Sequence, residues 1–159
     1  MSSTNYAGFW LRFVAYVIDY IIIYVVQSFL ILPILGVMGI TVATQAQNMD
    51  AMSEAEIFAM VGAFIAAMGT VILISTALSV LYYSLMEASK YQATLGKLAL
   101  GLKVTDTNGN KIDFVKALIR NLGKILSAFI LMIGYIMAGF TDKKQALHDI
   151  IASTLVVKK

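Results

Sequence analysis

The chain of 159 residues is 60% hydrophobic and 13% charged, with a mean hydropathy of +0.83, where a water-soluble domain carries about 25% charged residues. It has no cysteine, which excludes disulfide frameworks, thiolate metal sites and cysteine nucleophiles, and its lone histidine, His148, excludes a His-rich metal cluster within one chain. Net charge is +3 and the isoelectric point about 9.1, but in so apolar a chain the placement of charge says more than its sum.

Tyr6, Phe9 and Trp10 gather ahead of the first apolar stretch, as aromatic side chains do at the headgroup level of a bilayer. Two stretches, Phe13 to Ala43 and Ile57 to Met86, hold one formal charge between them, Asp19. Each exceeds the roughly 20 residues that cross the hydrocarbon core as a helix. A secretory signal would have a shorter apolar region behind a basic head, and nothing basic precedes Arg12. Runs such as Ile21-Ile22-Ile23 are apolar on every face, against the alternation of a membrane β-barrel. The expected spans are therefore helices, at about 12–43 and 57–86. Pro33, with Gly36 and Gly39 after it, should bend or end the first.

Between the spans, Thr44 to Glu56 carries Asp50, Glu54 and Glu56 and no basic residue. From Glu87 to Lys124 there are seven: Lys90, Lys97, Lys103, Lys111, Lys116, Arg120 and Lys124. Lysine and arginine accumulate in short cytoplasmic loops, so the first loop is expected outside and the N-terminus and second loop inside. In the second span Gly62, Ala66 and Gly69 share one face, a spacing that lets helices approach closely in lipid.

At Leu102 to Ile112, alternating residues and Asn108-Gly109 predict a short cytoplasmic β-hairpin. Asp113 can cap the helix that follows, which places Lys116, Arg120 and Lys124 at successive i+4 positions as a basic stripe for anionic lipid headgroups. The hairpin and this amphipathic helix occupy about 100–124. The third apolar stretch, about 125–140, is short for a span and contains Gly134. Crossing would carry Lys143, Lys144, Lys158 and Lys159 outside; turning back near Gly134 keeps the 141–159 tail inside, and this re-entrant course is expected. Thr154 to Val157 reads as a strand, with Leu102 to Thr105 its natural partner. The fold class is thus an all-α membrane protein, one domain over 1–159, with two long spans, a third short or re-entrant segment, and a small cytoplasmic hairpin and amphipathic helix.

Chemistry concentrates at Asp19, since an isolated carboxylate in hydrocarbon costs roughly 2.5–3.5 kcal/mol on insertion scales. It either exchanges a proton or small cation, or is a buried ion pair that fixes helix packing. Arg12, two helical turns earlier, shares its face at about 10 Å along the axis, close enough for a common polar cavity. His148-Asp149 invites a catalytic reading, but adjacent helical residues diverge and no nucleophile stands in a motif. No phosphate-cradling glycine loop, paired metal carboxylates or dinucleotide fingerprint occurs. No catalysis, cofactor, metal or nucleic-acid partner is expected.

The segments Tyr6-Ala7-Gly8-Phe9-Trp10-Leu11-Arg12 through Asp19, Ala93-Thr94-Leu95-Gly96-Lys97 with Gly101-Leu102-Lys103-Val104, and Lys143-Lys144-Gln145-Ala146-Leu147-His148-Asp149 together resemble the RDD family of bacterial membrane proteins. The likeness runs over nearly the whole chain and implies that Arg12, Asp19 and Asp149 are the arginine and two aspartates for which the family is named. Ser153 departs from it, where a glycine is usual. The resemblance implies a multi-pass protein of the bacterial inner membrane, suspected of transporting a ligand and in some members linked to sodium/proton antiport. The expected function is transport of a proton or monovalent cation by Asp19, with Arg12 tuning it and Asp149 at the cytoplasmic mouth. Two or three helices cannot enclose an aqueous path, so a homo-oligomer is expected. The rival is a structural or assembly module that supports a membrane partner and binds anionic lipid.

Overall fold

A computed structural model describes residues 5–47, 51–129 and 133–159. Helices α1 (Phe9–Ala46) and α2 (Glu54–Ala88) are followed by α3 (Leu95–Ala99), strand β1 (Leu102–Asp106), α4 (Phe114–Phe129), α5 (Ile133–Ile136) with a 3-10 turn at Met137–Gly139, α6 (Leu147–Ile151) and strand β2 (Thr154–Lys158). The chain is mostly helical, with two helices long and apolar enough to cross a membrane. Their most apolar windows contain no buried residue, so the large side chains need an apolar surrounding that the chain itself does not supply. Pro33 lies inside α1 without ending it. Its ring removes one backbone N–H, and nothing in an apolar segment offers the remaining groups a better partner than the helix.

Two compact units are formed, one of residues 1–22 with 79–159 and one of residues 23–78. Within the second, the Gln27 amide donates to the Ser75 carbonyl at 2.9 Å, and Leu30, Ile31 and Ile34 of α1 meet Val71, Ile74 and Leu78 of α2 around a small cleft. Gly62 and Gly69 have open space where a Cβ would stand. Asp50, part of the acidic loop, lies outside the described residues.

The first unit is built on an antiparallel pair, β1 on β2, in register from Leu102 opposite Lys158 to Asp106 opposite Thr154. This is the partner the sequence suggests for the C-terminal strand. The expected hairpin is not formed: Asp106 instead closes a turn, its carboxylate accepting the N–H groups of Asn108 and Asn110 at 2.9 and 2.8 Å, with Gly109 at φ +87°. The tail strand out-competes Lys111 and Ile112 because it buries four consecutive residues, Thr154 to Val157. The N-terminus joins this sheet, the Ala7 N–H donating to Val156, and Ala7, Ala15, Leu102, Val104, Ile112, Ala117 and Val156 form the core. Asp113 caps α4, accepting the Lys116 N–H at 2.7 Å. Ser153, just before β2, has φ +51°, a left-handed backbone in which glycine carries no Cβ penalty.

Residues 130–132, inside the third apolar stretch, lie outside the described residues. The described parts of 125–140 do not make one continuous helix. After α4 ends, α5 lies back along it: the Tyr135 hydroxyl donates to the Lys124 carbonyl at 3.2 Å, and a Cβ on Gly134 would meet the Ser127 Oγ at 2.8 Å. Gly134 is therefore a close-approach residue against α4.

Candidate functional site

The first unit buries three carboxylates, those of Asp19, Glu87 and Asp149. Asp19, 1% exposed on α1, is held entirely by neutral donors. The Thr94 hydroxyl donates to it at 2.5 Å, the Gly96 backbone N–H at 2.7 Å and the Tyr82 hydroxyl at 3.1 Å. The Thr94 to Lys97 stretch can come this near only because position 96 lacks a side chain: a Cβ there would stand 2.1 Å from the Ala15 carbonyl oxygen. The glycine thus lets backbone meet backbone, and the approach delivers two donors to one carboxylate.

Asp149 and Glu87 are treated differently. Asp149, on α6, pairs with Arg12 of α1 and with the Nε of Arg120 of α4 at 2.8 Å. Arg120 Nη1 also reaches Glu87 of α2 at 2.6 Å. Glu87 pairs further with Lys97 of α3, and with Lys124 at 3.8 Å. The Asn121 amide adds a hydrogen bond to Glu87 at 3.1 Å. One chain of ion pairs therefore links α1, α6, α4, α2 and α3. Arg12 uses its remaining donors on the backbone, Nε to the Ala7 carbonyl at 2.8 Å and Nη2 to the Lys144 carbonyl at 2.5 Å.

Burial taxes every charge in this network, and the pairing decides the outcome. Burial alone would raise the Asp149 carboxyl; Arg120 and Arg12 reverse this and hold it well below the usual carboxylate range. Burial alone would lower Arg120, but Glu87 and Asp149 keep it firmly charged. Lys97 is lowered by burial, with Glu87 opposing. Lys124 is pushed down to about 7 by burial, against the pull of Glu87 and with Lys97 and Arg120 adding to the shift; its ammonium lies 4.2 Å from the Tyr83 ring centroid. His148, buried beside the Tyr135 ring, is pushed down to about 3 by burial even with Asp149 near it, and its Nδ1 has no hydrogen-bond partner among the described residues.

Of the residues read from the sequence, Arg12 and Asp149 are brought together, while Asp19 takes its hydrogen bonds from a separate set of residues. The basic stripe needs correction. Arg120 is 1% exposed and its guanidinium lies between two carboxylates, so it does not face lipid headgroups; Lys124 turns toward Glu87, and Lys116 is half-buried. Arg120 and Lys124 turn inward toward Glu87, where they add to the pairing that Lys97 gives this buried carboxylate. Sequence reasoning passes over Glu87 and Asn121 and meets Thr94 only within the Ala93 to Lys97 motif. Glu87 had a signal, as the first charge after a long apolar run; Tyr82 had a weaker one, in a polar stripe with Ser75 and Ser79. No group of metal-binding side chains occurs among the described residues.

Comparison with known proteins identifies a family and two relatives. A family model described as "RDD family" matches residues 6–153. The chain is 44% identical over 155 residues to a Bacillus subtilis (strain 168) protein named "Uncharacterized protein YxaI", covering 96% of this chain and 97% of that one. It is 27% identical to another from the same strain, "Uncharacterized membrane protein YteJ", covering 96% of this chain and 80% of that one. No solved structure matches.

Proposed function

The chain belongs to the RDD family, and from that premise we propose that it transports a proton or small cation, by exchange of one for the other as in sodium/proton antiport, with Asp19 as the exchanging carboxylate. The observation that carries this reading is the difference among the buried acids. Glu87 and Asp149 are clamped by arginine and lysine, whereas Asp19 has two hydroxyls and one amide and, among the described residues, no ion pair. A hydroxyl can donate to a bare carboxylate or turn a lone pair toward a bound cation. Asp19, Thr94 and Tyr82 therefore offer four side-chain oxygens of the kind that hold hard cations. Arg12, Asp149 and Arg120 then form the frame that keeps α1 and α6 in place while Asp19 changes partner.

The working arrangement is a homo-oligomer in the bacterial inner membrane, since two long helices cannot enclose an aqueous path; the open face at Gly62 and Gly69 suits helix contact in lipid. The N-terminus, sheet and tail are cytoplasmic on the lysine and arginine distribution, with residues 125–140 re-entering rather than crossing. The test is flux in proteoliposomes under an imposed pH gradient. Wild type should move protons against a monovalent cation, and Asp19→Asn, which keeps the size of the side chain, should fold and lose the flux. Normal transport by Asp19→Asn, or no ion movement by wild type, would overturn the mechanism. A structural or assembly module is then the better reading, and the ion-pair chain that joins five elements favours it over any enzymatic role.

A further inference from the structure

A second feature of the first unit lies away from the buried acids and does not depend on the transport reading. Gly8, with Phe9 and Trp10 at the start of α1, and Ile136 at the end of α5, with Gly139 and Phe140 beyond it, line an open groove of about 410 Å³ with Lys144 at its edge. That volume is in the range of small-ligand clefts. Gly8 has open space where a Cβ would stand, and a Cβ on Gly139 would meet the Phe9 Cβ at 3.8 Å, so neither glycine fills the groove that the aromatics flank. Trp10 is 73% and Phe140 84% exposed, leaving two large apolar surfaces for an occupant to cover. The polar edge is built rather than incidental. Lys144 has φ +49°, a conformation kept only where the surroundings over-determine it, and here they do. Its carbonyl accepts from Arg12 at 2.5 Å and its N–H donates to the Thr141 carbonyl at 3.0 Å. Its ammonium donates to the Gly139 carbonyl at 3.1 Å, which leaves two donors free.

We propose that this groove binds one anionic phospholipid, its phosphate on the Lys144 ammonium and its upper acyl chain between Trp10, Ile136 and Phe140. Charge complementarity selects this occupant: the Lys144 ammonium stands at one edge of an apolar cleft beside a tryptophan. Free phosphate would leave the aromatic walls uncovered, and a zwitterionic headgroup would bring its own cation against the ammonium. The lipid contact expected of α4 is thereby assigned to a different surface.

Trp10 is the only tryptophan in the chain, so its fluorescence reports on this groove alone. The full-length protein is reconstituted in vesicles containing phosphatidylglycerol or phosphatidylcholine brominated on the upper acyl chain, at equal mole fraction. A specific site enriches the anionic lipid around Trp10 by about fivefold, the ratio one basic residue confers at a charged membrane surface, so brominated phosphatidylglycerol quenches at correspondingly lower mole fraction. Lys144→Gly removes the ammonium and at the same time relieves the left-handed backbone, so it folds at least as well as wild type, and it should abolish the preference. Lys111→Gln, a surface charge outside the groove, should leave the preference intact. Equal quenching by the two lipids in wild type overturns the proposal, as does a preference that survives Lys144→Gly. Protection of Trp10 that follows protein density instead of lipid composition assigns the groove to a second copy of the chain, and also overturns it.

Discussion

Replacing Arg120 by methionine separates the two places this side chain could occupy, and the structure sets the size of the effect. The guanidinium lies 2.6 Å from Glu87 and 2.8 Å from Asp149 and is 1% exposed. Removing one partner of a buried ion pair costs about 3–5 kcal/mol, because an uncompensated charge stays behind. Here Asp149 keeps Arg12, and Glu87 keeps Lys97 with Lys124 farther off at 3.8 Å. The expected loss for Arg120→Met is therefore near the lower bound, about 3 kcal/mol, a more than hundredfold shift in the unfolding equilibrium. Reversible unfolding in mixed micelles with increasing SDS, followed by far-ultraviolet circular dichroism, measures it. A double-mutant cycle with Asp149→Asn should give a coupling of about 1 kcal/mol or more, as contacting charges do. If Arg120→Met lies within about 0.5 kcal/mol of wild type, as for a surface substitution, the buried assignment is refuted and the headgroup-facing stripe restored.

Two other predictions concern pH and orientation. His148 is held to about 3 in the folded protein by burial against about 6.5 when unfolded, so the unfolded chain binds the extra proton between those values and stability is present above pH 6.5 and lost as pH falls. Between pH 6.5 and about 5.5, above most of the range where carboxylates titrate in the unfolded chain, the unfolding free energy should fall with a slope approaching about 1.4 kcal/mol per unit, and His148→Gln should flatten the profile; an unchanged profile removes His148 as the cause. For orientation, cysteine placed at Gln47, in the first loop, should react with an impermeant thiol reagent in intact cells, and cysteine at Asn108, in the turn after β1, should not. The reverse pattern would invert the topology.

The two spans were legible from residue composition alone, because partition into lipid is a property of a segment's own side chains and needs no knowledge of the rest of the fold. The pairing of Leu102 to Thr105 with Thr154 to Val157 was legible for a related reason: alternation marks strands, and two short strands in one chain have few other partners. Asp19 stood out as an isolated charge, and Arg12 with Asp149 came from the family likeness; spacing could not have joined residues 137 positions apart. What tertiary structure alone decided is which way charge faces. A helix with basic residues at i, i+4 and i+8 has the same pattern whether that face meets lipid headgroups or buried acids, since helical periodicity records that a polar face exists and not what covers it. Packing placed Glu87 and Asp149 against that face of α4, and the need to neutralise two carboxylates out of water turned Arg120 inward. Packing also gave Asp19 hydroxyl and amide partners in place of Arg12, through a backbone approach at Gly96 that no local pattern encodes.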